Sequence, residues 1–410
     1  MKLNLKFWLQ FSLINLFIVA LIGVTMRYKL GFEFPFFDQS HLIHSHSHFA
    51  FAGWLTHTLM VLMIYFLQEK IPNLQLNKYK KIIIANLICA YGMLFFFIIQ
   101  GYAMVSIFFS TASILVSYAF GYLYLKDLKK LDQDLAAINW FRAALIFNII
   151  SSLGTFYLAY MMATKTAVEH LKLSSIYYYL HFQYNGWFFF ACMGLLFSFF
   201  KLKKSDNPFY EIAFRLFAIA CIPAYFLSLL WLEIPNWIYI LAVIAALIQV
   251  YVWFKLLLIL IKTQKEFLKN FGPLLQGILV FAYLALSLKF ILQLSSTIPA
   301  LGEIVFIYRP IVIAYLHLVL LAVNSLFLLF YIYANHFISI NKNIKIGLIV
   351  FSIGIFLNEL VLGIQGIIPF GFPSLPYTNE LLFAVALLLL FGIGLITFFS
   401  IKKTKNHPAL

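Results

Sequence analysis

Five of the ten histidines of this chain fall between His41 and His57, in the run HLIHSHSHFAFAGWLTHTLM. At helical spacing His44 and His48 sit one turn apart on one face, His46 points the other way, and His57 lies deeper. Neutral imidazole is the usual axial ligand of haem iron and also suits copper or zinc. A histidine-rich tract is equally what a solvated loop end that collects stray divalent ions looks like. Two further histidines, His181 in HFQYNGW and His317 in YLHLV, are embedded in apolar sequence. Three such residues on three helices can hold a metal or a haem if the fold brings them together.

The elements that would position them are membrane helices. Residues of the AVILMFWYC set make up 64% of the 410 positions and charged residues only 10%, and apolar runs repeatedly reach the ~20 residues that cross a bilayer. The predicted class is an all-α polytopic membrane protein, a single transmembrane domain over 1–410. We read twelve spans, near 7–26, 43–67, 81–101, 103–125, 140–163, 175–200, 209–232, 236–261, 273–294, 311–336, 345–367 and 379–401. Lysines gather on alternate connections: Lys2 and Lys6; Lys70, Lys78, Lys80 and Lys81; Lys126, Lys129 and Lys130; Lys201, Lys203 and Lys204; Lys262, Lys265 and Lys269; Lys342 and Lys345; Lys402, Lys403 and Lys405. The opposite connections hold Arg27, Lys29, Lys165, Lys172 and Arg309. The positive-inside rule then puts both termini in the cytoplasm, in what we expect to be a bacterial inner membrane. Topology and anionic headgroups account for the net charge of +15, so the lipid bilayer is the partner this charge implies and nucleic acid is not. Cys89, Cys192 and Cys221 lie singly in apolar runs without metal-ligand spacing, and read as packing residues.

Orientation turns the histidines into depths. His48, His181 and His317 all enter from the outer face, and the last two lie six residues into their spans, about 9 Å down. A shared layer favours a ligand role over three unrelated structural histidines. His170, His336 and His407 read as bystanders. Two intramembrane charges, Lys289 and Glu359, are expected either to pair with each other or, for the lysine, to snorkel outward.

On these residues the chain resembles the catalytic subunit of haem-copper oxidases and its looser relatives, including membrane haem-copper proteins of nitric-oxide stress. In that family histidines of the second and tenth spans clamp a low-spin haem, another tenth-span histidine holds a second haem, and copper takes one sixth-span histidine and a consecutive pair in the seventh. The resemblance implies that His48 and His317 bind haem, with His44 and His46 as the neighbouring choices, that His181 occupies the copper position, and that Lys289 and Arg309 meet haem propionates. The chain departs from the family where the seventh span has no histidine, the tenth has one, and Tyr184 follows His181 by three residues. Those departures imply a haem-binding protein for electron transfer or for binding or sensing oxygen or nitric oxide, with copper a secondary cofactor and conventional oxygen reduction not expected. Other respiratory or redox membrane subunits are the implied partners. The reading of a different class is a twelve-span transporter with a histidine-lined path for substrate or metal, which lacks support from repeated halves or paired broken helices. A cofactor-free structural or assembly subunit is the third.

Overall fold

The computed structural model describes residues 3–302, 308–373 and 375–402. Lys2, Lys403, Lys405 and His407 lie outside the described residues. Helix dominates, and the described residues form no strand beyond one isolated bridge between Leu135 and Lys203. We label the helices α1 (Leu5–Gly31), α2 (Gln39–Lys70), α3 (Leu76–Gln100), α4 (Met104–Leu128), α5 (Ala137–Ala163), α6 (169–199), α7 (Pro208–Cys221), α8 (Asn236–Leu268), α9 (Pro273–Ser295), α10 (Arg309–Ala334), α11 (Lys342–Phe370) and α12 (Thr378–Ile401). Ten of these are long and apolar enough to cross a membrane. A bent pair, α7 continuing at 42° into Pro223–Leu229, makes up to eleven. The bend has a local cause, because Pro223 has no N–H to offer the preceding turn and its ring crowds it. α6 falls outside that set although it is a continuous helical run, and its middle carries Gln183, Tyr184 and Asn185. The described residues thus show a polytopic helical membrane protein whose helices coincide closely with the expected ranges.

Helix starts follow from local chemistry. Asn4, Asp38, Asn207 and Asn341 each accept hydrogen bonds from first-turn amides, and Pro208, Pro273 and Pro310 stand in first turns, where a missing N–H costs nothing. Outward faces are apolar, with Ile99, Met104, Ile219 and Leu258 among the most exposed side chains. In water such a surface would drive association; in a bilayer it is the lipid-facing coat.

Packing places the three histidine helices inside. α2 is buried almost throughout, whereas α4 is mostly exposed. α1 packs on α12 and α2, α3 on α2 and α4, α5 on α6, α8 on α7 and α9, and α11 on α10 and α12, while α6 packs on both α2 and α10 and α2 reaches α10 through Trp54 and Ser325. Each central helix carries one π-helical segment: Ala50–Thr56 in α2, Phe182–Phe188 in α6 and Leu318–Ser325 in α10. Such segments are rare and mostly mark functional places in helices. Here they begin one or two residues after His48, His181 and His317.

Side chains close the openings that a wider turn leaves. Asn15 Nδ2 donates to Gly53 O at 2.6 Å and Asn86 Nδ2 to Ala52 O at 3.1 Å. In α10, Asn324 Nδ2 donates to Val319 O and Ser325 Oγ to Leu320 O, both at 2.7 Å. Each buried carbonyl left unpaired would cost about 1–3 kcal/mol, so these polar residues are structural requirements of the π geometry. The π segments are also tied to one another: Trp54 Nε1 donates to Ser325 Oγ at 2.9 Å, and Trp187 Nε1 to Thr56 Oγ1 at 3.2 Å. Glycine is needed at two close approaches, since a Cβ on Gly53 would lie 2.7 Å from the Phe49 ring and one on Gly186 2.6 Å from Phe147 Cβ.

Candidate functional site

The histidines of α2 divide between two faces. His44 and His48 turn towards the end of α3. The His48 ring stacks on Phe97 with centroids 4.4 Å apart, and its Nε2 is 2.9 Å from Tyr102 Oη, while His44 meets the Tyr102 ring edge-on at 4.5 Å. His41 is placed on the same side, with Nδ1 3.2 Å from Ile98 O.

His46 faces the other way, over Gly23 of α1, with the Val19 carbonyl beside it. Its Nδ1 is shielded and has no hydrogen-bond partner. His317 Nδ1 lies 2.8 Å from Ile313 O. A carbonyl there takes a proton from Nδ1, which leaves the Nε2 lone pair open, the tautomer a metal-ligating imidazole needs. Arg27 of α1 completes the group: its charge reaches both His46 and His317, it is half-buried, and it forms no ion pair among the described residues. Two imidazoles on α2 and α10 and a guanidinium of α1 thus share one region of the bundle. The structure turns His48 to Tyr102 and His46 towards α1.

His181 is placed differently. Its Nε2–H donates to Cys221 O at 2.8 Å and its Nδ1 accepts from Asn185 Nδ2 at 3.1 Å, so both nitrogens are engaged. In this arrangement it fixes α6 against the end of α7 just where Pro223 bends that helix. No group of three or more His, Cys, Asp or Glu residues able to hold a metal ion occurs among the described residues.

The remaining charges do not gather at the histidines. Arg309 is exposed at the start of α10. Lys289 is 3% exposed and lies over the Phe290 ring at 4.0 Å, and Glu359 accepts from its neighbour Asn358 at 3.1 Å. The expected pair between Lys289 and Glu359 is not formed, and Lys289 does not snorkel, because its chain runs inward among aromatic rings. His336 and His170 are exposed, away from the cluster. Sequence reasoning missed Arg27, which it counted only as a loop charge; its position at the end of α1, beside the histidine-bearing start of α2, was the available signal.

No family model matches this chain, and no curated protein matches it.

Proposed function

We propose that this is an integral membrane haem protein of electron transfer or gas binding, with one haem held between α2 and α10 by His46 and His317. The observation that carries the reading is that His46, whose Nδ1 has no hydrogen-bond partner, His317, whose Nδ1 is engaged by Ile313 O, and Arg27, without an ion pair among the described residues, lie in one region of α1, α2 and α10. A haem iron, if held by these two neutral imidazoles, would supply one-electron transfer chemistry. The chain's own contributions are separable. Ile313 O fixes the His317 tautomer, Gly23 leaves room for the His46 ring, and Arg27 supplies positive charge for a carboxylate side group of the cofactor.

The lysine distribution supports twelve spans with both termini in the cytoplasm and the haem near the outer face of a bacterial inner membrane. The engaged nitrogens of His181 favour a haem-only centre over a haem-copper one. A donor or acceptor subunit in the same membrane would then meet the chain at the outer ends of α1, α2 and α10. Haem analysis of protein purified in detergent from haem-replete cells tests this. About one haem per chain is expected, and protein with none would overturn the reading.

A further inference from the structure

Away from the histidines, a cavity of about 30 Å³ lies between α6, α8, α9 and α10, walled by side chains such as Met193, Leu196, Ala282, Leu286 and Val323. All five are buried. A volume of that size exceeds the ~10–15 Å³ that one water-sized guest needs and falls far short of the ~150 Å³ that takes a benzene ring. Two of the three π segments border the space: Tyr184 belongs to that of α6, and Val319, Val323 and Asn324 to that of α10.

Water has nothing to hold it there. The polar side chains on the wall turn their polar atoms elsewhere. Trp253 Nε1 donates to Ser287 Oγ at 2.8 Å, Asn324 Nδ2 to Val319 O at 2.7 Å, and Cys192 Sγ to Asn324 Oδ1 at 3.4 Å. The Tyr184 hydroxyl is directed at Ser228, the Lys289 Nζ lies over the Phe290 ring at 4.0 Å, and the Tyr283 hydroxyl does not open into the cavity. A buried water needs two to four polar partners, whereas a cavity lined by aliphatic and aromatic carbon stays dry and takes apolar guests such as xenon. In a membrane helix bundle the small apolar solutes at hand are gases dissolved in the bilayer.

We propose that this cavity is a binding site for a nonpolar diatomic gas, of the class of dioxygen and nitric oxide. The site stands whether or not a haem is bound, and its test reads no haem signal.

The full chain, isotope-labelled in its methionine methyl groups and purified in detergent, is to be followed by NMR under rising pressures of xenon and of oxygen. Met193 reports on the cavity and is assigned with Met193→Leu, while Met104, 87% exposed on the outer surface, reports on gas dissolved in the micelle. Xenon is expected to shift the Met193 signal to saturation, and oxygen to broaden it beyond Met104. Ala282→Val, which fills the cavity, should lose both effects; if it does not fold, Val323→Ile takes its place with the same expected loss. A Met193 signal that follows Met104 in both gases, or a filled variant that keeps the full response, would overturn the site. A response to xenon alone would remove the diatomic assignment, and magnetisation transfer from water to the Met193 methyl would show a hydrated cavity and contradict an apolar guest.

Discussion

Trp54 of α2 donates its indole N–H to Ser325 Oγ of α10 at 2.9 Å, and Ser325 in turn donates to Leu320 O inside the same π segment. This contact sets the rotation and height of α2 against α10. With Trp54 held there, the His46 face of α2 lies over Gly23 of α1 and the His48 face meets Tyr102.

Breaking that pair is expected to be costly from either side. Ser325→Ala leaves the buried indole N–H without an acceptor, and Trp54→Phe removes the donor together with part of a fully buried ring. We expect a loss of about 1–3 kcal/mol for the serine variant, and more for the tryptophan variant because a space is added to the lost hydrogen bond. Denaturant titration in detergent measures both. A stability change below about 0.5 kcal/mol for Ser325→Ala would show that the contact does not hold the helices in register.

His181→Gln is expected to keep the haem. Both imidazole nitrogens are engaged in protein hydrogen bonds, and an amide can donate to Cys221 O while losing the Asn185 contact. A modest shift in the haem spectrum or potential follows if the α6 and α10 segments move slightly. Metal analysis is the decisive readout: about one copper or zinc per wild-type chain, absent from His181→Gln, would make His181 a ligand.

The loop ties outside the helices carry a pH signature. Asp134 accepts from Ser205 Oγ at 2.6 Å and from Ser205 N at 3.1 Å, and the hydroxyl bond, followed by the backbone one and the charges of Lys203 and Lys204, holds its carboxyl below the usual carboxylate range. A lowered folded pKa stabilises above the unfolded value of ~4, and that stabilisation is lost as pH falls through the folded value. Asp134→Asn should therefore lower Tm slightly near pH 7, with the gap to wild type closing below about pH 4. A gap unchanged from pH 7 to pH 3 would show that the carboxylate charge contributes nothing there.

Much of the architecture was legible in the apolar runs, because bilayer thickness dictates span length, except at α7, which was expected over 209–232 but ends at Cys221 before the bend at Pro223. The choice between His46 and His48 was not legible. Spacing shows that they lie on opposite faces, but which face meets α10 is set by Trp54, Ser325 and the extra residue of each π segment. Gly53 and Gly186 hinted at close approaches there, yet nothing in the composition separates a π turn from an α turn. The fate of Lys289 was equally hidden: partners for a buried charge come from helices distant in sequence, and only the assembled core shows that Glu359 is not among them.

The central claim is tested most directly by the reduced-minus-oxidised absorption spectrum of the purified protein and its single-histidine variants. We expect a sharp alpha band in the wild type and in His48→Ala, and its loss in both His46→Ala and His317→Ala. A band that survives His46→Ala and disappears with His48→Ala would contradict the assignment of faces, and a colourless wild-type protein from haem-replete cells would contradict the haem itself.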